Sequence, residues 1–221
     1  MVGVAIPLNE ASALRSPDDR HTNVCVRYTS DAPDALPLDM MFVSLNQNVL
    51  AMEHADLRFG AGGFGVWVNQ AYSRGSVTLT SADPRVQPEV REAMLSDERD
   101  LARLRSGVRA LMEMARGADA AAIADGPVDR VNSTLLSVLD DDARLDDHLL
   151  ATAADAQHAT STCRMGDPSG VDTVVAPDCR VLGVDGLRVV DASIFPSVPR
   201  ANTNLTAIMA GELMAERLGR S

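Results

Sequence analysis

The sequence predicts an α+β fold, an antiparallel or mixed sheet packed with helices, and three observations carry that reading. Short apolar runs with a period of two crowd the first 80 residues, as half-buried strands require. Segments with apolar residues three and four apart follow, up to residue 154. The remainder turns to motif-dense loops and closes on one further helical segment.

Residues 23–29 (Asn-Val-Cys-Val-Arg-Tyr-Thr) alternate apolar with other side chains and read as a strand. A turn with two prolines fills 31–37, and 40–45 is apolar enough for a second strand. Residues 64–69 (Phe-Gly-Val-Trp-Val-Asn) and 76–80 (Ser-Val-Thr-Leu-Thr) supply two more, joined through Ser73-Arg74-Gly75. Ser96, Asp97 and Glu98 then offer an N-cap with acids in the first turn, where they complement the helix dipole. Leu101, Leu104, Val108, Leu111 and Met112 mark the buried face of that helix, and Gly117 its stop. Residues 118–140 are rich in Ala and Asp and poorly patterned, which predicts loops with a short helix at most. A helix over 144–154 ends just before His158. Residues 187–190, between Gly186 and Asp191, predict a short buried strand. Residues 204–218 predict the closing helix, with Leu205, Ile208, Met209, Leu213 and Leu218 facing inward. The change of character puts a boundary near 155–160 and divides the chain into 1–155 and 156–221.

Charge and composition exclude several classes of function. The net charge of −11 argues against nucleic acid, whose phosphates need a basic surface, and against an anionic membrane. All 20 basic residues are arginine, which fits a coding bias and says little about function. No run of about 18 apolar residues is present to span a bilayer. Met1–Pro7 lacks the basic start and long apolar stretch of a signal peptide, so a soluble, cytoplasmic protein is predicted. Cys25, Cys163 and Cys179 form neither a CxxC nor a metal spacing and read as reduced thiols, with a Cys163–Cys179 disulfide as the alternative. No metal site is predicted: Asp140, Asp141, Asp142, Asp146 and Asp147 read as a solvated face. His21, His54 and His148 read as structural or exposed, and Met112, Met114, Met209 and Met214 as core filling. The run Gly60-Ala-Gly62-Gly-Phe-Gly65 matches GxGxxG, but a pyrophosphate loop must open a helix. Here Val66-Trp67-Val68 continues as strand, and a flexible hairpin is the better reading.

From His158 the chain reads His-Ala-Thr-Ser-Thr-Cys-Arg-Met-Gly. A second block, 179–193, reads Cys-Arg-Val-Leu-Gly-Val-Asp-Gly-Leu-Arg-Val-Val-Asp-Ala-Ser. It continues over 194–209 as Ile-Phe-Pro-Ser-Val-Pro-Arg-Ala-Asn-Thr-Asn-Leu-Thr-Ala-Ile-Met. These strings resemble the C-terminal signature of the glucose–methanol–choline (GMC) oxidoreductases, and residues 73–84 and 95–100 resemble the substrate-domain region of that family. The resemblance implies a substrate-binding domain over 1–155 and a segment over 156–221 that carries the catalytic pair. It implies that the C-terminal strand and helix return to complete an FAD-binding domain. The reaction implied is oxidation of a CH–OH alcohol to a carbonyl. That requires loss of a hydroxyl proton, for which an imidazole with an ordinary pKa of about 6.5 is suited. It also requires a hydride acceptor, which no side chain supplies, so a cofactor, FAD, is implied.

By the same resemblance His158 is the base, and Asn202 holds the substrate oxygen. Asp191 and Ala192 match the turn that approaches the ribityl and phosphate part of FAD. Asn202, Thr203, Asn204 and Thr206 match the start of the final helix, which faces the flavin ring. Asn202 and Asn204 also read as helix caps, Asn204 the better one. Two departures stand out: Ser161 where the family usually has Gly, and Ala176 where Asp is common. The βαβ glycine loop that holds the FAD pyrophosphate is not found, so a missing N-terminal FAD-binding region, or a second polypeptide supplying it, is expected as partner. The alcohol stays open among aliphatic, aromatic, furan-type, polyhydroxy and mycofactocin-type peptide substrates, and the electron acceptor between oxygen and a quinone-like carrier. The alternative reading is a non-catalytic module that binds no flavin.

Overall fold

A computed structural model describes residues 1–13, 16, 20, 22–46 and 62–220. His21, His54 and the first two residues of the glycine run, Gly60 and Ala61, lie outside them. The chain forms sheets and helices, an α+β architecture, in two compact units: 1–68 with 95–154, and 69–94 with 155–221. The stretch 69–94 thus groups with the C-terminal unit, which a single cut at residue 155 does not capture.

The first unit is built on a four-stranded antiparallel sheet in the order β1-β4-β3-β2, from β1 (Val2–Ile6), β2 (Thr22–Tyr28), β3 (Met40–Leu45) and β4 (Gly62–Val68). Strand β1 was not expected. Its alternation is nonetheless clear, with Val2, Val4 and Ile6 buried and Gly3 and Ala5 outward. Of the GxGxxG match, Gly62, Gly63 and Gly65 lie inside β4, and the next element is a strand. A Cβ on Gly63 would sit 2.6 Å from the Val4 carbonyl oxygen, and one on Gly65 would meet the Trp67 ring at 2.7 Å. These glycines let neighbouring groups approach; they open no anion loop.

Helix α1 (Glu98–Ala115) packs on this sheet through Leu104, Val108, Leu111 and Met112, as its periodicity predicts. The other helices of the unit are α2 (Ala118–Ile123), α3 (Val128–Val131), α4 (Ser133–Leu136) and α5 (Asp142–Thr152). Three short helices therefore occupy the region read as loop, each fixed by single apolar anchors such as Ala120, Val128 and Leu135. The acid run is only partly a free face: Asp141 caps α5, Asp142 pairs with Arg105 and Arg109, and Asp146 lies 3.4 Å from Arg105. His148 is half-buried on α5, in keeping with a structural role. Among the methionines, Met112 and Met214 are buried, but Met114 and Met209 are 46% and 54% exposed and fill no core.

A buried ionic cluster joins the loop before β3 to α1. Arg103 donates to Asp39 at 2.8 Å and also pairs with Asp100, and all three are almost fully buried. Burial opposes the Asp39 charge, but the Ser30 backbone N–H, Arg103 and the Ser30 hydroxyl together hold its carboxyl below the usual range.

The second unit contains the antiparallel pair β5 (Ser76–Thr78) and β6 (Glu89–Arg91), a 3₁₀ turn at Ala192–Ile194 and α6 (Asn204–Gly219). Its core is Val175, Cys179, Ile194, Phe195, Ala210 and Met214. Two expectations fail here. Residues 187–190 form no strand; Arg188 makes one isolated bridge to Arg180, flanked by single backbone bonds from Val181 to Leu187 and from Val189 to Cys179. The inward face of α6 is also reversed. Ala210 and Met214 are buried, whereas Leu205 is 77% exposed and Ile208, Met209, Leu213 and Leu218 are exposed too. Apolar residues run around most of this helix, so periodicity alone does not choose the face. The N-cap is Thr203, and Asn204 is already helical.

Two stability predictions follow from local geometry. Asp97 caps α1 by accepting from the Arg99 backbone N–H at 3.0 Å. The Arg99 side chain first, and that N–H second, hold its carboxyl at about 2, against an ordinary 3.8. A depressed folded pKa means stability present above about pH 4 and lost as the pH falls towards about 2. Asp97→Asn keeps an acceptor but cannot titrate, so urea denaturation across this window should show a shallower acid loss than wild type. Ser161 has φ +72, a left-handed conformation that favours glycine. Melting temperatures should therefore rank Ser161→Gly above wild type and wild type above Ser161→Val, the first gap worth up to about 1 kcal/mol. A valine variant as stable as wild type would refute the strain.

Candidate active site

His158 lies in the loop after α5, and that loop is laid along the 3₁₀ turn by alternate backbone bonds. The Ser161, Cys163 and Met165 N–H groups donate to the Ala192, Ser193 and Ile194 carbonyls at 3.4, 2.9 and 2.8 Å. Ile194 and Phe195 enter the core that also receives Ala210 and Met214 of α6. One core thus fixes both the loop before His158's neighbours and the helix whose entry carries Asn202.

The consequence is a direct contact between side chains 44 positions apart. The Asn202 Nδ2 lies 3.0 Å from His158 Nε2. Thr203 Oγ1 lies 3.3 Å from the other ring nitrogen, Nδ1. His158 is half-buried, and Asn202 is exposed. An imidazole nitrogen can take a proton, and a carboxamide N–H can hold an oxygen; side by side they can grip one hydroxyl group.

Arg200, two residues before Asn202, donates from Nε to Gln70 Oε1 at 2.9 Å and ties this entry loop to the 69–94 stretch. Sequence reasoning missed this bond. Its partners are 130 positions apart and neither residue type marks a site. The Thr203 contact with His158 was missed for a different reason: the resemblance assigned Thr203 to the flavin-facing start of the final helix and not to the histidine.

Asp191 and Ala192 fall elsewhere in the same loop system. Asp191 accepts from the Ser193 backbone N–H at 2.8 Å and caps the 3₁₀ turn, in place of ending a strand. Asn204 and Thr206 lie in the first turn of α6. No side chain caps that end, so the N–H groups of Asn204, Leu205 and Thr206 lack intrahelical carbonyls and present the positive end of a 16-residue helix. Such an end suits an electron-rich group with carbonyl oxygens, such as the flavin ring. The three cysteines are unpaired, Cys179 buried and Cys163 half-buried. No His, Cys, Asp and Glu cluster able to hold a metal occurs among the described residues. None of their helices is long and apolar enough to cross a membrane.

A family model described as GMC oxidoreductase matches residues 71–211. The 5-(hydroxymethyl)furfural oxidase of Methylovorus sp. is 34% identical over 227 residues, which cover 98% of this chain and 41% of that protein. An oxygen-dependent choline dehydrogenase of Sinorhizobium medicae is 39% identical over 158 residues, 71% of this chain and 28% of its own length. Among solved structures, pyridoxine 4-oxidase from Mesorbium loti matches with a TM-score of 0.73 at 20% identity, over 91% of this chain and 38% of that one. At that identity the likeness shows the fold alone. The chain spans less than half the length of these curated relatives. The family match runs through His158, Asn202 and the whole loop system between them: this chain belongs to the GMC oxidoreductases, a family that uses FAD.

Proposed function

We propose that this chain is the substrate-side portion of an FAD-dependent enzyme that oxidises an alcohol to a carbonyl. The observation that carries the reading is the 3.0 Å contact between Asn202 Nδ2 and His158 Nε2. A hydroxyl oxygen bound at this edge accepts from the amide N–H, while its own hydrogen points at Nε2. His158 takes that proton, and Asn202, which cannot titrate near neutral pH, holds the oxygen so that the carbinol C–H keeps one orientation. FAD, when bound, supplies the hydride acceptor that no side chain provides.

Asn204 and Thr206, with the N–H groups beside them, would face the ring of that cofactor at the N-terminus of α6, and Asp191 and Ala192 its ribityl and phosphate part. The pyrophosphate would be held by polypeptide outside these 221 residues, because Gly62, Gly63 and Gly65 belong to strand β4. The relatives named for hydroxymethylfurfural and choline favour a small alcohol as substrate. Residues 1–155 would then be the substrate-binding part. Three unpaired thiols fit a reducing, cytoplasmic setting.

The test uses the complete protein in which this chain occurs, purified and assayed with a panel of alcohols. It should carry flavin absorbance, and His158→Ala should lower kcat about 10²- to 10⁴-fold. Asn202→Ala should lower kcat and weaken alcohol binding together, with the flavin retained. An undiminished rate in the His158 variant removes the base assignment. Protein that takes up no flavin would instead be a non-catalytic binding module.

A further inference from the structure

Thr203 occupies the N-cap of α6, a 16-residue helix, yet its side chain makes no capping hydrogen bond. A threonine cap normally accepts from the first-turn N–H groups. This hydroxyl forgoes that bond and lies 3.3 Å from His158 Nδ1. On the opposite side of the ring, the Asn202 amide nitrogen faces Nε2 at 3.0 Å.

The two contacts constrain each other. An amide nitrogen only donates, so Nε2 must carry a lone pair towards Asn202. A neutral imidazole with Nε2 unprotonated carries its hydrogen on Nδ1, and Nδ1–H then donates to the Thr203 oxygen. Flipping the ring tautomer would oppose two donors at Asn202.

We propose that the Thr203 hydroxyl is a positioning group: with the Asn202 amide donating to Nε2, it accepts from Nδ1–H, and the two together hold His158 in the tautomer that keeps Nε2 as the proton-accepting atom. This role rests on the reading of His158 as the base. Proton uptake breaks the substrate O–H bond and forms an Nε2–H bond, leaving an imidazolium with both nitrogens protonated. The Nδ1–H bond to Thr203 then becomes charge-assisted and strengthens as the proton arrives. The contact therefore favours the protonated ring over the resting one, which is what accelerates a proton transfer. Only the Thr203 side chain is used; its backbone N–H stays available to a cofactor.

The experiment is nitrogen-15 NMR of histidine-labelled complete protein, at about pH 8.5, where an ordinary imidazole is neutral. The His158 resonances are identified by their loss in His158→Gln. Wild type should show a protonated Nδ1 and an unprotonated Nε2. Thr203→Val, which keeps the shape and removes the hydroxyl, should move the ring towards the Nε2–H tautomer. Its kcat should fall about 10- to 100-fold with KM little changed. Thr203→Ser should restore both. An Nε2–H tautomer in the wild type overturns the proposal without any variant, as does an unchanged tautomer ratio in Thr203→Val. A fall in melting temperature with the wild-type ratio would reduce Thr203 to a structural residue. Full turnover in His158→Gln would defeat the base assignment itself, an outcome distinct from all of these.

Discussion

The second unit is organised around one encounter, between the His158 ring and the Asn202 amide, which no local sequence preference could produce. Two loops must arrive together, and each is held by means that leave its tip polar. The His158 loop is fixed by backbone bonds to 192–194. Asn202 is fixed by the packing of α6 through Ala210 and Met214, and by the Arg200 bond to Gln70. The small residues Ala207 and Ala210 let the helix sit close to the Ile194–Phe195 turn, so its entry is positioned by its packed face. Precision at a site requires this arrangement: the reacting side chains hang from loops, but rigid packing a few residues away sets where the loops end.

The first unit shows the opposite economy. With four phenylalanines, two tyrosines and one tryptophan in the whole chain, its core is made of Val, Leu, Ile and Met. Such side chains fill space without polar demands, and the sheet compensates for their modest size with glycines that let strands and rings approach. Arg103 is the exception, a fully buried cation between two carboxylates. Replacing it with an apolar residue would remove the counter-charge that Arg103 gives the buried Asp39 and Asp100, which would be strongly destabilising.

Legibility followed the strength of the periodic signal. Strands β2, β3 and β4 and helices α1 and α5 were readable to within two or three residues, although β2, expected to be half-buried, is exposed over most of its length, Val24 and Val26 included. Strand β1 has the same alternation, but Gly3 and Ala5 occupy its outward positions, and small residues register weakly as polar contrast. Residues 187–190 illustrate the converse: their apolar composition predicts a buried strand, but Leu187 is exposed and the pairing with 179–181 stops at one bridge. The face of α6 was illegible because Leu205, Ile208, Met209, Leu213, Ala210 and Met214 leave no single stripe. In the candidate site, His158 and Asn202 were legible through motif context, and the structure brings them into contact. The Thr203 hydroxyl and the Arg200–Gln70 bond were not, since both depend on where a side chain turns after folding.

The choice of asparagine opposite the histidine has a consequence for the whole site. A second imidazole could share protons, so either ring might begin as base. A carboxamide cannot, so under the proposed reading proton uptake would fall to a single nitrogen lone pair. Which nitrogen that would be is set by the amide, which presents its N–H side to Nε2, while the Thr203 hydroxyl beside Nδ1 can accept or donate. Turning the amide would set an oxygen against the Nε2 lone pair, two acceptors with no hydrogen between them. Changing the tautomer alone would set two donors together. The two contacts are therefore coupled: amide orientation and ring tautomer must change together, and the Thr203 hydroxyl can donate or accept to match. With an asparagine as the second group, the proposed proton transfer would rest on geometry, and geometry is what the packed core of this unit supplies.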